Sequence, residues 1–165
     1  MPRNKLKVIR IISTLTTAAI MIAIFMFSAQ NREQSSNLSR GFTKQVVNMI
    51  SAVVSMNVSE KTQLVDLIHG TIRKLAHFSI YAVLGISSSA MFTSYLIKSK
   101  KRNILIYSVI FCFLYAASDE IHQLFVGGRG PQITDVLLDS FGALCGGMVF
   151  LMFIKLINRK GDNYD

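Results

Sequence analysis

Four apolar runs decide what this chain can become: residues 8–29, 75–97, 104–125 and 135–157. Each is close to the ~20 residues that a helix needs to cross ~30 Å of hydrocarbon. A water-soluble fold of this size would show shorter amphipathic helices or alternating strands. The expected fold is therefore an all-α integral membrane protein with four transmembrane helices. Residues 1–165 form one membrane domain, and the external segment 30–72 lies between spans one and two.

The net charge of +9 invites a nucleic-acid reading, but the placement of the charges opposes it. Arg3, Lys5, Lys7 and Arg10 precede the first run. Lys98, Lys100, Lys101 and Arg102 separate the second from the third, and Lys155, Arg159 and Lys160 end the fourth. In a four-span topology all three clusters fall on one side. This positive-inside pattern predicts cytoplasmic termini, and no nucleic-acid partner is expected. A cleaved signal peptide is the competing account of the first run. The run is longer than a signal core, and Phe27 spoils the small-residue cleavage pattern, so a retained span is expected. Cys112 and Cys145 sit mid-run and read as small packing residues.

Within 30–72, Ser35, Ser36, Asn37 and Ser39 predict a turn or cap. Phe42, Val46, Met49, Ile50, Val53 and Val54 then recur at helical spacing, which predicts an external amphipathic helix over 42–54. It either lies at the outer interface or packs on the bundle as a lid. Ser59 is the expected N-cap of a second short helix, which Gly70 kinks or ends before the second span. His69 reads as an exposed or packed histidine.

Ionisable residues cluster where the spans meet the outer side. Arg73, His77 and Tyr81 share one helical face, with Lys74 beside Arg73. Tyr115, Asp119 and His122 share a face of the third span, with Gln123 beside them and Glu120 about 100° away. Arg129 is the single charge in the turn Val126–Gln132, and a guanidinium there suits a carboxylate or phosphate. Thr134 is the expected N-cap of the fourth span. Asp135, Asp139, Gly142 and Gly146 form one stripe on it, so the close-packing Gly142-x-x-x-Gly146 face also carries both acids. Ionisable groups in membrane segments are costly and usually face a bundle interior or wet cavity. Structural ion pairing and a functional site both fit these clusters.

Three blocks of the chain resemble VanZ-like membrane proteins. They are Arg73-Lys74-x-Ala76-His77-Phe78-x-x-Tyr81-x-x-Leu84-Gly85, Ser118-Asp119-Glu120-x-His122-Gln123-x-Phe125-Val126-x-x-Arg129, and Asp135-Val136-x-x-Asp139-x-x-Gly142-Ala143-x-x-Gly146. The Ser28-x-Gln30 exit and the serines near 35–39 resemble the family as well. Gly127-Gly128 and Pro131 depart from its pattern and leave the role of Arg129 open. The resemblance implies a multi-pass protein of a bacterial, Gram-positive cytoplasmic membrane. It also implies an association with resistance to teicoplanin, a glycopeptide antibiotic carrying a fatty-acyl tail.

The leading expectation is a binding protein for a lipidated glycopeptide or a lipid-linked cell-wall precursor at the outer face. Membrane lipids are its surroundings and no cofactor is expected. Arg73, Lys74 and Arg129 would hold phosphate or carboxylate. Asp119, Glu120, Asp135 and Asp139 would hold amines or hydroxyls, or position those cations. The alternative is an intramembrane enzyme acting on a lipid-linked envelope substrate. His77 or His122 would then serve as acid or base beside Asp119 or Asp139, or these groups would ligate a metal. No metalloprotease motif and no nucleophile elbow supports that chemistry. A transporter or scaffold ranks last, because the charges stop short of the bilayer midplane.

Overall fold

The computed structural model describes residues 3–126 and 132–161, apart from the side chains of Arg32 and residues 159–161. Its helices are α1 (Arg3–Ser28), α2 (Arg32–Ser51), α3 (Val58–Tyr95), α4 (Lys101–Gln123) and α5 (Ile133–Gly161). Strands are absent among the described residues. Four of these helices, α1, α3, α4 and α5, are long and apolar enough to cross a membrane.

The helix starts differ from the expected ones, and local hydrogen bonds explain why. α2 begins before the serines that read as a turn. Asn31 Oδ1 accepts from the Gln34 N–H (2.8 Å), and Gln34 Oε1 accepts from the Asn31 N–H. This capping box satisfies two end groups and carries Ser35–Ser39 into the helix. Asn57 and Glu60 make the same box (2.9 and 2.8 Å), so Asn57, not Ser59, caps α3. Gly70 does not end that helix. The short helix and the second span are one helix of 38 residues. α5 starts at Ile133, which puts Thr134 inside the first turn and not at the cap.

α1 and α4 run one way, and α3 and α5 run back. At one end Arg10 Nε donates to the Ser94 carbonyl (2.9 Å), and its guanidinium lies over the Tyr95 ring. At the other end Gln123 Nε2 donates to Ser28 Oγ (3.0 Å).

The interior combines an apolar cluster (Ile24, Tyr81, Leu84, Cys112, Ala116 and Ala143) with buried hydroxyls. Thr17, Ser87, Ser88, Ser89 and Ser108 are buried, whereas Ile12, Leu15, Met26, Leu114 and Met152 are exposed. Lipid tails are as apolar as leucine, so burying leucine drives nothing in a bilayer. Small residues and interhelical hydrogen bonds hold such bundles instead. Thr17 bonds Ser87 (2.8 Å), Ser108 bonds both Ser88 and Ser89, and Cys112 lies 3.4 Å from Ser88.

The tightest packing is between α3 and α5. A Cβ on Gly85 would collide with the Ala143 backbone, on Gly142 with the Phe78 carbonyl, and on Gly146 with the Ala82 carbonyl. Gly70 meets nothing within 4 Å. Gly146→Val should therefore cost ~1–3 kcal/mol or more through overpacking. Gly70→Ala should be neutral or stabilise by up to ~1 kcal/mol through helix propensity. Thermal unfolding of the two purified variants in detergent checks the contrast.

Candidate functional site

The α3–α5 contact sets the geometry of the charged end. Asp139 lies one turn before Gly142, and His77 directly precedes Phe78, whose carbonyl faces Gly142. Close backbones therefore bring Asp139 Oδ2 to 3.9 Å from His77 Nδ1. That separation suits an ion pair and exceeds a direct hydrogen bond. Asp139 is only 3% exposed and its Oδ1 has no hydrogen-bond partner among the described residues.

α4 supplies the second buried acid. Gln123 Nε2 donates to Asp119 Oδ2 (3.2 Å) as well as to Ser28, so one amide links α4 to α1 beside the carboxylate. Asp119 is 5% exposed, and its Oδ1 is also without a partner among the described residues. Tyr81 is fully buried near both acids, with its ring 6.4 Å from that of Tyr115 and its hydroxyl likewise unpaired.

A cavity of about 350 Å³ opens among α1, α2 and α3 in front of these groups. Ile24, Phe27, Leu38, Phe42, Ile72 and Ile80 make its walls apolar. Arg73, His77 and Asp119 supply its charged lining, and Ser28, Gln30, Ser35 and Ser39 its neutral polar lining. Arg73 also borders an adjoining polar recess with Glu33, Ser36, Asn37 and His69.

α2 closes one side of the cavity. It buries Thr43 and Val47 against the bundle and leaves Phe42, Met49 and Ile50 exposed. Much of the stripe that defined the amphipathic helix thus faces away from α3, and Val53 and Val54 lie beyond the helix end. Ser39 Oγ bonds His69 Nε2 (2.8 Å), and Arg40 pairs with Asp66 (3.0 Å), fastening α2 to α3. His69 is thus a packed histidine with a defined partner.

The expected site residues separate into groups. Arg73, His77 and Asp119 meet at the cavity, with Tyr81, Gln123 and Asp139 behind them. Lys74 is exposed and lines neither hollow. Glu120 points elsewhere: its Oε2 accepts from the Gln132 N–H (2.9 Å) and ties the end of α4 to the start of α5. His122 packs edge-on against Phe25, with ring centroids 4.6 Å apart. Tyr115 donates to the Met21 carbonyl (2.6 Å), so the Tyr115–His122 face serves mainly to hold α1. Asp135 sits half-buried in the first turn of α5, where its charge favours the helix dipole. Arg129 lies in 127–131, outside the described residues.

Among the described residues, the ion pairs are Arg40–Asp66 and His77–Asp139, so Arg73 and Lys74 have no carboxylate partner there. No three His, Cys, Asp or Glu side chains among them gather as a metal site requires. The sequence places Phe42 on the amphipathic helix that lies at the interface or packs as a lid, whereas it does not single out Leu38; both reach the cavity through the packing of α2.

Residues 14–155, most of the chain, match the model of the family described as VanZ/LLP1. No curated protein and no solved structure matches the chain.

Gln123 holds two partners at the site, and removing a buried partner costs ~1–3 kcal/mol. Gln123→Met should lower thermal stability in detergent by that order. Ser118→Ala, on the exposed side of the same helix, should stay within ~0.5 kcal/mol of wild type.

Proposed function

We propose that this chain, which belongs to the VanZ/LLP1 family, binds an amphiphile of the cell envelope in the cavity among α1, α2 and α3. Four apolar helices and the family make it a multi-pass membrane protein. The proposed setting is the cytoplasmic membrane of a Gram-positive bacterium. Both termini face the cytoplasm, and α2 lies at the outer interface. The basic clusters near Arg10 and Lys98 support that orientation, since they end the bundle opposite the cavity. Exposed Phe42, Met49 and Ile50 on α2 suit contact with the lipid interface.

The observation that carries the reading is the cavity itself. It joins apolar walls to an arginine, a histidine and a buried aspartate. Ligand sites are mostly apolar with a few placed polar groups. An acyl chain fits the walls, and Arg73 suits a phosphate or carboxylate. A lipidated glycopeptide such as teicoplanin, or a lipid-linked cell-wall precursor, offers both parts. The expected consequence is protection against teicoplanin.

A sensitive Gram-positive host expressing the protein tests this. Wild type should raise the inhibitory concentration of teicoplanin several-fold and leave that of unlipidated vancomycin unchanged. Arg73→Ala, His77→Ala and Asp119→Asn should lose the protection at equal membrane levels. Equal protection against both drugs would contradict an acyl-dependent site.

The second reading is an enzyme that modifies a lipid-linked envelope substrate. One observation favours it: His77 lines the cavity with a buried Asp139 beside its Nδ1. A carboxylate that orients an imidazole leaves the other ring nitrogen free to move a proton at the ligand. Under this reading, expression should change the mass profile of extracted lipid-linked precursors, and His77→Ala should restore it. An unchanged profile on wild-type expression would count against it.

A further inference from the structure

The opposite charges lining the cavity do not neutralise each other. Arg73 has no carboxylate within ion-pair reach among the described residues. Asp119 lines the same cavity, is removed from water, and has Gln123 and Ser28 as hydrogen-bond partners. Its Oδ1 is buried without a hydrogen-bond partner among the described residues, and Asp139 Oδ1 and the Tyr81 hydroxyl share that condition behind it. Buried polar atoms are normally paired, and a buried carboxylate oxygen left bare is expensive. This cluster therefore has unused acceptors, whereas Arg73 has unused donors.

A purely anionic ligand would serve Arg73 and be repelled by Asp119 and Asp139. A purely cationic one would do the reverse. One class of molecule serves both ends. We infer that the cavity takes a zwitterionic amphiphile: an acyl chain against the apolar walls, a phosphate on Arg73, and a primary ammonium on Asp119. This rests on the amphiphile-binding reading and specifies its ligand class.

Two further features narrow the ligand. A primary ammonium carries three N–H donors, which the Asp119 carboxylate at the cavity is able to accept. A quaternary ammonium carries none. A cavity of about 350 Å³ is at the small end for ligand sites, so it suits one chain better than two.

Lysolipids with one common acyl chain test the inference. Three are compared on the full-length protein in detergent by native mass spectrometry. Lysophosphatidylethanolamine carries phosphate and a primary ammonium, lysophosphatidylcholine a quaternary ammonium, and lysophosphatidylglycerol phosphate alone. The first should bind about ten-fold more tightly than either of the others, the gain of a charge-assisted hydrogen bond. Asp119→Asn should abolish that preference while keeping lysophosphatidylglycerol binding. Arg73→Gln should weaken all three. If the three bind wild type equally, or the anionic one binds best, the ammonium site is wrong and amphiphile binding stands. If none binds wild type, amphiphile binding itself falls. The wild-type ranking decides the matter even where Asp119→Asn fails to fold.

Discussion

The backbone-to-backbone contact of α3 with α5 is the constraint on which the rest depends. Gly85, Gly142 and Gly146 lie where a Cβ would strike the facing main chain. Without side chains between them, the helices approach closely enough for small-residue packing and weak backbone contacts to hold them in lipid. The same approach decides where the acids go. Asp139 sits a turn from Gly142 and therefore beside His77. Moving the helices apart by one methyl group would open that pair as well as the seam.

The bundle differs from a soluble protein in leaving large aliphatic side chains on its surface and burying hydroxyls beside its apolar core. Hydroxyls from Thr17, Ser87, Ser88, Ser89 and Ser108 bond across helices inside, and large aliphatic groups face outward. At the charged end the same logic uses longer side chains. Tyr115, Gln123 and His122 reach from α4 to α1 at Met21, Ser28 and Phe25. Glu120 instead fastens the Gln132 N–H. Four polar or ionisable residues near the end of α4 thus have structural partners. Asp119 differs from them in keeping one buried oxygen, Oδ1, without a hydrogen-bond partner among the described residues.

Much of this was legible in the sequence, and the limits have physical causes. Run length alone shows the four spans, because a helix must match hydrocarbon thickness. The i, i+4 spacing of Arg73, His77 and Tyr81, and the stripe of Asp135, Asp139, Gly142 and Gly146, put on common faces residues that the structure brings to the α3–α5 seam and the cavity. Helix starts were less legible. Asn31 with Gln34 and Asn57 with Glu60 are capping boxes, and neighbouring serines compete with them as cap candidates. Gly70 reads as a breaker, yet its helix continues through it, since a single glycine costs only ~1 kcal/mol there. Spacing placed His122 with Asp119, but its ring packs on Phe25, a partner that no periodicity reveals. The cavity was the least legible feature. Its walls come from three helices, and Phe42 belongs to it only because Thr43 and Val47 pack α2 onto α3.

In the proposed complex an acyl chain enters the cavity among α1, α2 and α3. Photo-crosslinking tests it most directly, with a fatty-acylated glycopeptide probe that carries a diazirine in its tail, applied to membranes containing the protein. Adducts are expected on Leu38, Phe42 or Ile72, reduced by excess teicoplanin and unaffected by vancomycin. Adducts confined to lipid-facing residues such as Phe113 and Met152, with no competition by teicoplanin, would contradict it.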